Sequence, residues 1–269
     1  MTESGLIPGW TIHRADTPGV IIHVPHAGTH VPHQVREHIL LDDAALTAEI
    51  ARMTDWHTDL VAGARPGGQA VLATTFVNQL SRLVIDPERF TDESEVMRTV
   101  GMGAVYTGTS HGKVLRALSD EDEGRLLDRY FHPYADAFAA HVDEMLRRCR
   151  RCTIIDVHSY PERPLPYELR PGAPRPHICV GTDEDHTPAW LLDAALLAFA
   201  GHETALNTPF SGTYVPLRHY RTDVRVTSIM IEIRRDIYLD DDNNPRAHPI
   251  ALLNTCLRNL VAAIALHET

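Results

Sequence analysis

Apolar and polar positions alternate along this chain in two rhythms. Short apolar runs at residues 20–24, 70–75, 82–85, 153–157, 177–180 and 228–233 have the length of buried strands. Between them lie longer stripes of helical spacing. One covers residues 43–62. A second covers 121–148, with Tyr134, Phe138, Val142 and Met145 on one face. A third is opened by Thr187 as N-cap and Pro188 at the first helical position and runs to Phe199. His248 and Pro249 open a fourth, which continues to the C-terminus. Strands alternating with helices predict one α/β domain spanning residues 1–269. Its expected form is a three-layer sandwich, with a largely parallel or mixed sheet covered by helices on both faces. The proline-rich segment 163–175, "RPLPYELRPGAPR", cannot be regular helix and is expected to cover a surface or a pocket.

Composition narrows the function classes. With 43% hydrophobic and 23% charged residues this is an ordinary globular chain. No apolar run approaches the roughly 20 residues of a membrane span, and "MTESGLIPGW" has neither the basic nor the apolar part of a signal peptide. The expectation is a cytoplasmic protein without a membrane partner; oligomeric state is left open. The net charge of −11 argues against nucleic acid. It also requires that any acidic substrate meet locally concentrated arginines. Cys149 and Cys152 have no second pair to complete a zinc knot. They read as two separate thiols at a helix–strand junction, with disulfide exchange a remote alternative.

Two of the strand-like runs end on histidine. In "VIIHVPHAG" the run 20–24 leads to His26, and in "TIIDVHSYP" the run 153–157 leads to His158. Strand ends are where α/β proteins build their sites, and two imidazoles delivered there can share a metal ion if a third ligand joins them. "RMTDWHTDLVA" offers two. An unbroken helix puts His57 on the apolar stripe and Asp55 opposite; a break at Thr54 makes Asp55 an N-cap facing the strand ends. Periodicity is compatible with both. In "SRLVIDPER", Arg82 and Arg89 are forks suited to carboxylates, or else surface ion-pairing groups. In "SIMIEIRRD", alternation places Glu232 with Met230 and Arg234, opposite Ile231 and Ile233. Partial desolvation there would raise its pKa and suit it to acid–base work. Pairing with Arg234 or Arg235 is the alternative.

Taken in order, "VPHAG", "TDWHTDL", "SRLVIDPER", "DVHSYP", "RPHICVGTD", "HTP" and "IEIRRDIYL" resemble the N-formylglutamate amidohydrolases, a family similar in fold to zinc carboxypeptidases and aspartoacylase. The resemblance implies one divalent ion, zinc, held by His26, Asp55 and His158, with His57 an alternate ligand or supporting group. It implies Glu232 as the base, and Arg82 and Arg89 as carboxylate holders, one of them also stabilising the oxyanion. Tyr214 and Arg218, in a Gly-containing loop, would add substrate contacts. The substrate implied is a small acidic N-acyl amino acid, N-formyl-L-glutamate, cleaved to formate and glutamate in histidine degradation. Where that family usually reads Asp-x-Asn-Arg, this chain has Asp86-Pro87-Glu88-Arg89, which bears on acyl and side-chain preference. The competing readings are hydrolysis of another N-acyl or N-formimidoyl amino acid or of a peptide C-terminus and, in a different class, a sensor that binds an acidic metabolite without turning it over.

Overall fold

The computed structural model describes residues 9–64 and 72–267. Seven strands, β1 (Trp10–His13), β2 (Val20–Val24), β3 (Thr74–Asn78), β4 (Cys152–Tyr160), β5 (Ile178–Gly181), β6 (Thr204–Leu206) and β7 (Val226–Arg234), form one sheet in the order β1-β3-β2-β4-β7-β5-β6. The four central strands β3, β2, β4 and β7 run parallel; β1 and β5 join antiparallel to β3 and β7. The α/β class and the mixed sheet are as the patterning predicts.

Among the described residues seven α-helices accompany them: α1 (His33–Arg36), α2 (Asp43–Met53), α3 (Thr58–Val61), α4 (Asp120–Leu126), α5 (His132–Cys149), α6 (Ala189–Ala198) and, after the last strand, α7 (Ala247–His267). Alternation along the strands sorts two cores. Val20, Ile22, Ile155, Val157, Ile229 and Ile231 pack with α3, α6 and α7. Ile21, Phe76, Ile154 and Val226 pack with α5 on the opposite face. Helices therefore cover both faces of the sheet.

Several details differ from the sequence expectations. Residues 82–85 form no strand: Leu83, Val84 and Ile85 are fully buried but lie in a turn, where Val84 N–H donates to the Ser81 carbonyl and Asp86 N–H to that of Ala104. Side-chain burial, without a neighbouring ladder, accounts for the apolar run. The run expected at 70–75 is realised as β3 from Thr74 onward, and Ala70 and Val71 lie outside the described residues, as do residues 1–8 with most of the segment read for a leader. Strands β1 and β6 were not expected; both are short and only partly buried, so their patterning is weak.

The stripe at 121–148 is realised as α4 and α5 joined by one π-helical turn, Leu127–Phe131. Thr187 does not cap α6; its hydroxyl donates to the Ser228 carbonyl, tying the helix start to β7. Contrary to the expectation of no long apolar run, α7 is apolar and long enough by composition to span a bilayer. In the protein its residues Ile250, Leu253, Leu257, Leu260, Val261 and Ile264 are buried in the sheet's apolar face, at helical spacing. Cys149 ends α5 and Cys152 begins β4, which is the helix–strand junction that the sequence predicts.

Candidate metal centre

The site forms at the C-terminal ends of β2, β4 and β7, on the α5 face. Strand β2 stops at Val24, and the next carbonyl, that of Pro25, accepts from Asn78 Nδ2 at 2.8 Å. This fixes the exit that carries His26. Gly28 follows because there is no room for a side chain: a Cβ there would come within 2.4 Å of the Gln79 backbone. Strand β4 continues through His158 to Tyr160 rather than ending before it, and pairs His158 with Glu232 on β7.

Helix α2 breaks at Thr54, whose backbone is extended. The last carbonyls of the helix find other donors: Thr54 Oγ1 on Ile50 O, Trp56 Nε1 on Ala51 O and Arg235 Nη1 on Arg52 O, each at 2.8 Å. The released Asp55 donates its backbone N–H to the His26 carbonyl at 3.0 Å, and its side chain turns inward. It does not cap α3. His57, in left-handed conformation, precedes α3, and its Nε2 donates to the Asn243 carbonyl at 3.1 Å. The imidazole is thereby engaged away from Asp55, and the break resolves the two alternatives in favour of Asp55 as the inward group.

Three donor atoms converge. His26 Nδ1 lies 3.1 Å from His158 Nδ1, His158 Nδ1 lies 3.2 Å from Asp55 Oδ2, and His26 Nδ1 lies 3.6 Å from the same oxygen. Ligands about 2.0–2.1 Å from a tetrahedral zinc stand about 3.3 Å apart, so the triangle has the size of a coordination face. The second nitrogens decide the tautomers. His26 Nε2 is 2.9 Å from Asp86 Oδ1; His158 Nε2 is 3.1 Å from Asp156 Oδ2 and 3.3 Å from Glu88 Oε2. Asp86 holds the His26 proton on Nε2, and the negative charges of Asp156 and Glu88 favour the same tautomer at His158, whose Nε2 makes no hydrogen bond; both Nδ1 lone pairs then face Asp55, the carboxylate–histidine–metal arrangement. Two lone pairs and an anionic oxygen in so small a space are mutually repulsive unless a cation joins them, so the donor set fits a divalent ion.

The surrounding charges are balanced in pairs. Asp86 is wholly buried and accepts from His26 on one oxygen, and from Arg82 Nη2 at 2.6 Å and the Tyr106 hydroxyl at 2.7 Å on the other. Burial alone would raise its pKa, but Arg82, His26 and Arg89 hold it well below the ordinary carboxylate range. Asp55 is likewise lowered: burial opposes, while the adjoining imidazoles of His158 and His26 and the charge of Arg235 prevail. Arg235 donates to Asp55 Oδ1 at 3.1 Å and to Ser159 Oγ at 3.1 Å, fastening Asp55 to β4. Sequence reading saw Arg235 only as a partner for Glu232. The paired arginines directly after a strand were the available signal. Asp156 also went unremarked, although it lies two residues before His158 on the same strand face.

Glu232 is 8% exposed, and its Oε2 has no hydrogen-bond partner. Burial pushes its pKa up to about 8; His158 pulls it down and Asp55 adds to the rise. It lines a cavity of about 700 Å³ together with His26, Asp55 and His158. Arg82 reaches the same cavity with two of its nitrogens already committed to Tyr106 and Asp86. Arg89 is freer: its Nε makes no hydrogen bond and lies 3.5 Å from Asp86. Tyr214 stacks on the His23 ring at 4.8 Å between centroids, and its backbone N–H donates to Asp156 at 3.2 Å. Arg218 sits at the cavity wall, half exposed and paired with Asp143. The 163–175 segment supplies Leu165, Tyr167 and Leu169 to the cavity wall and is pinned by the Glu168–Arg175 ion pair at 2.6 Å.

A buried histidine–aspartate–histidine triangle that could hold a metal ion stands beside an unpaired glutamate at the C-terminal ends of the central strands. The profile of the N-formylglutamate amidohydrolase family matches residues 19–239. The chain belongs to that family, and its function is that of an amidohydrolase. Two solved structures share its fold. An N-formylglutamate amidohydrolase from Ralstonia eutropha JMP134 is 22% identical, with 97% of this chain and 98% of that one covered and a TM-score of 0.79. A gene product of Agrobacterium tumefaciens is 20% identical, with 96% and 94% covered and a TM-score of 0.67. No curated protein matches the chain.

Proposed function

We propose that this protein is a zinc-dependent deformylase that cleaves N-formyl-L-glutamate with water to formate and L-glutamate, a reaction of histidine degradation, in the cytoplasm. The observation that carries the reading is the convergence of His26 Nδ1, His158 Nδ1 and Asp55 Oδ2 at 3.1–3.6 Å, with Glu232 unpaired beside them. His26, Asp55 and His158 would hold the ion. The chemistry it supplies when bound is Lewis-acid polarisation of the acyl carbonyl and easier deprotonation of water.

The remaining work falls to the chain. Glu232, its pKa raised by burial to about 8, takes a proton from the attacking water and delivers it to the leaving amine. Arg89, with Arg82 behind it, holds the two substrate carboxylates, one of these guanidinium groups also facing the oxyanion. Tyr214 and Arg218 border the remainder of the substrate. Asp86 and Asp156 keep the histidine protons on Nε2.

The test pairs metal analysis with formate release from N-formyl-L-glutamate, for the wild type and His158→Ala. We expect close to one zinc per chain and turnover in the wild type, and loss of both in the variant. Undiminished turnover by metal-free His158→Ala protein rejects the mechanism.

A further inference from the structure

Glu88 occupies the turn after Asp86, and its carboxylate lies against three imidazoles. Oε2 is 3.3 Å from His158 Nε2 and 3.8 Å from His26 Nε2, and Oε1 is 3.5 Å from His23 Nδ1. His26 Nε2 and His23 Nδ1 are hydrogen-bonded to other carboxylates, and His158 Nε2, though near two, makes no hydrogen bond. Asp86 takes His26 Nε2 at 2.9 Å, and Asp156 lies 3.0 Å from His23 Nδ1 and 3.1 Å from His158 Nε2. None of the three imidazoles donates a hydrogen bond to Glu88, whose Oε1 is buried with no hydrogen-bond partner. A buried acceptor without a donor is unfavourable. The Glu88 side chain is 15% exposed and lines the cavity that holds the His–Asp–His triangle.

Whatever satisfies Glu88 on binding must bring a hydrogen-bond donor or a positive charge; a carboxylate would be repelled. This step rests on the amidohydrolase reading above. An N-acyl glutamate with both carboxylates ionised has one N–H donor, on the scissile amide itself. We propose that Glu88 is a further substrate-binding residue, which accepts the hydrogen bond of the scissile amide N–H and then holds the ammonium group of the amino-acid product. In the overall reaction the C–N bond breaks and the water oxygen bonds to the acyl carbon. Both water protons end on the amine nitrogen, leaving a carboxylate and an ammonium ion. Glu88 thereby meets a donor before cleavage and a cation after it.

The experiment compares binding of L-glutamate and of glutarate, which differ by the ammonium group, to zinc-loaded wild type and Glu88→Gln, with metal content measured in parallel. We expect the wild type to bind L-glutamate about tenfold or more tighter than glutarate, the size of one charge-assisted hydrogen bond. In Glu88→Gln the preference falls towards unity while glutarate affinity and zinc content are retained. An undiminished preference in the variant overturns the proposal. So does a second equivalent of metal that the wild type binds and Glu88→Gln loses, because His23, Glu88 and Asp156 would then hold a cation. If the wild type releases formate from N-formyl-L-glutamate yet binds both compounds equally, the Glu88 assignment alone fails. If it neither releases formate nor binds either compound, the amidohydrolase reading fails with it.

Discussion

The two faces of the central strands come from the same stretches of chain and hold different environments. Towards α6 and α7, Val20, Ile22, Ile155, Val157, Ile229, Ile231 and Ile233 form an unbroken apolar surface. Towards α5 the same strands begin apolar, with Ile21 and Ile154, and end in His23, Asp156, His158 and Glu232, all buried. The first face is held by area removed from water, which is insensitive to charge. The second is tolerable because His23, Asp156 and His158 face opposite charges, and Glu232, which has no such partner, is pushed towards its neutral form. The contrast teaches that stability and chemistry have been placed on opposite sides of one sheet, and that each side can be damaged separately.

The largest expected effect is on the polar face. Glu232→Gln keeps the side chain's shape but removes the carboxylate proposed to carry the proton, and turnover should fall by about 10²–10⁴-fold with zinc content unchanged. Metal analysis and steady-state kinetics check it; a variant that loses its zinc would make Glu232 a ligand instead. The matching cut on the apolar face is Leu257→Ala in α7, a fully buried site remote from the metal centre. It should lower unfolding free energy by about 2–5 kcal/mol, read by denaturant titration, while zinc per folded chain stays constant. Loss of zinc there would show that the faces are not independent.

A smaller effect is expected from Asp86→Asn, which leaves the packing but removes the charge behind His26 Nε2. Zinc affinity should drop by about 10–100-fold in chelator competition. The smallest is His57→Asn: asparagine tolerates the left-handed backbone, and the imidazole faces the Asn243 carbonyl rather than the triangle. Zinc affinity should stay within about twofold, and stability should shift by no more than about 1 kcal/mol for the hydrogen bond. A large loss of zinc would return His57 to the ligand set.

Legibility followed the range of the forces involved. Strands β2, β4 and β7 and helices α5 and α7 were readable because burial imposes a period on consecutive residues. That same alternation put Glu232 on the face opposite Ile231 and Ile233, where the fold has it. The buried turn at Leu83–Ile85 defeated the rule because an apolar run reports burial and says nothing of hydrogen-bond partners. The break after Met53 was equally hidden, since two of the donors that end the helix, Trp56 and Arg235, belong to residues beyond it, one of them far along the chain.

By itself, then, the order of residues determined the layered α/β plan, the two histidines following strand-like runs and, through a resemblance of ordered motifs, the family. Only the tertiary structure decided that Asp55 and not His57 turns inward, that Asp86 and Asp156 set the histidine tautomers, and that Glu88 is left short of a donor. Those decisions depend on hydrogen bonds and ion pairs between residues 60 to more than 180 positions apart. Such pairings leave no periodic trace along the chain, because their energy depends on distance in space and not on spacing in sequence.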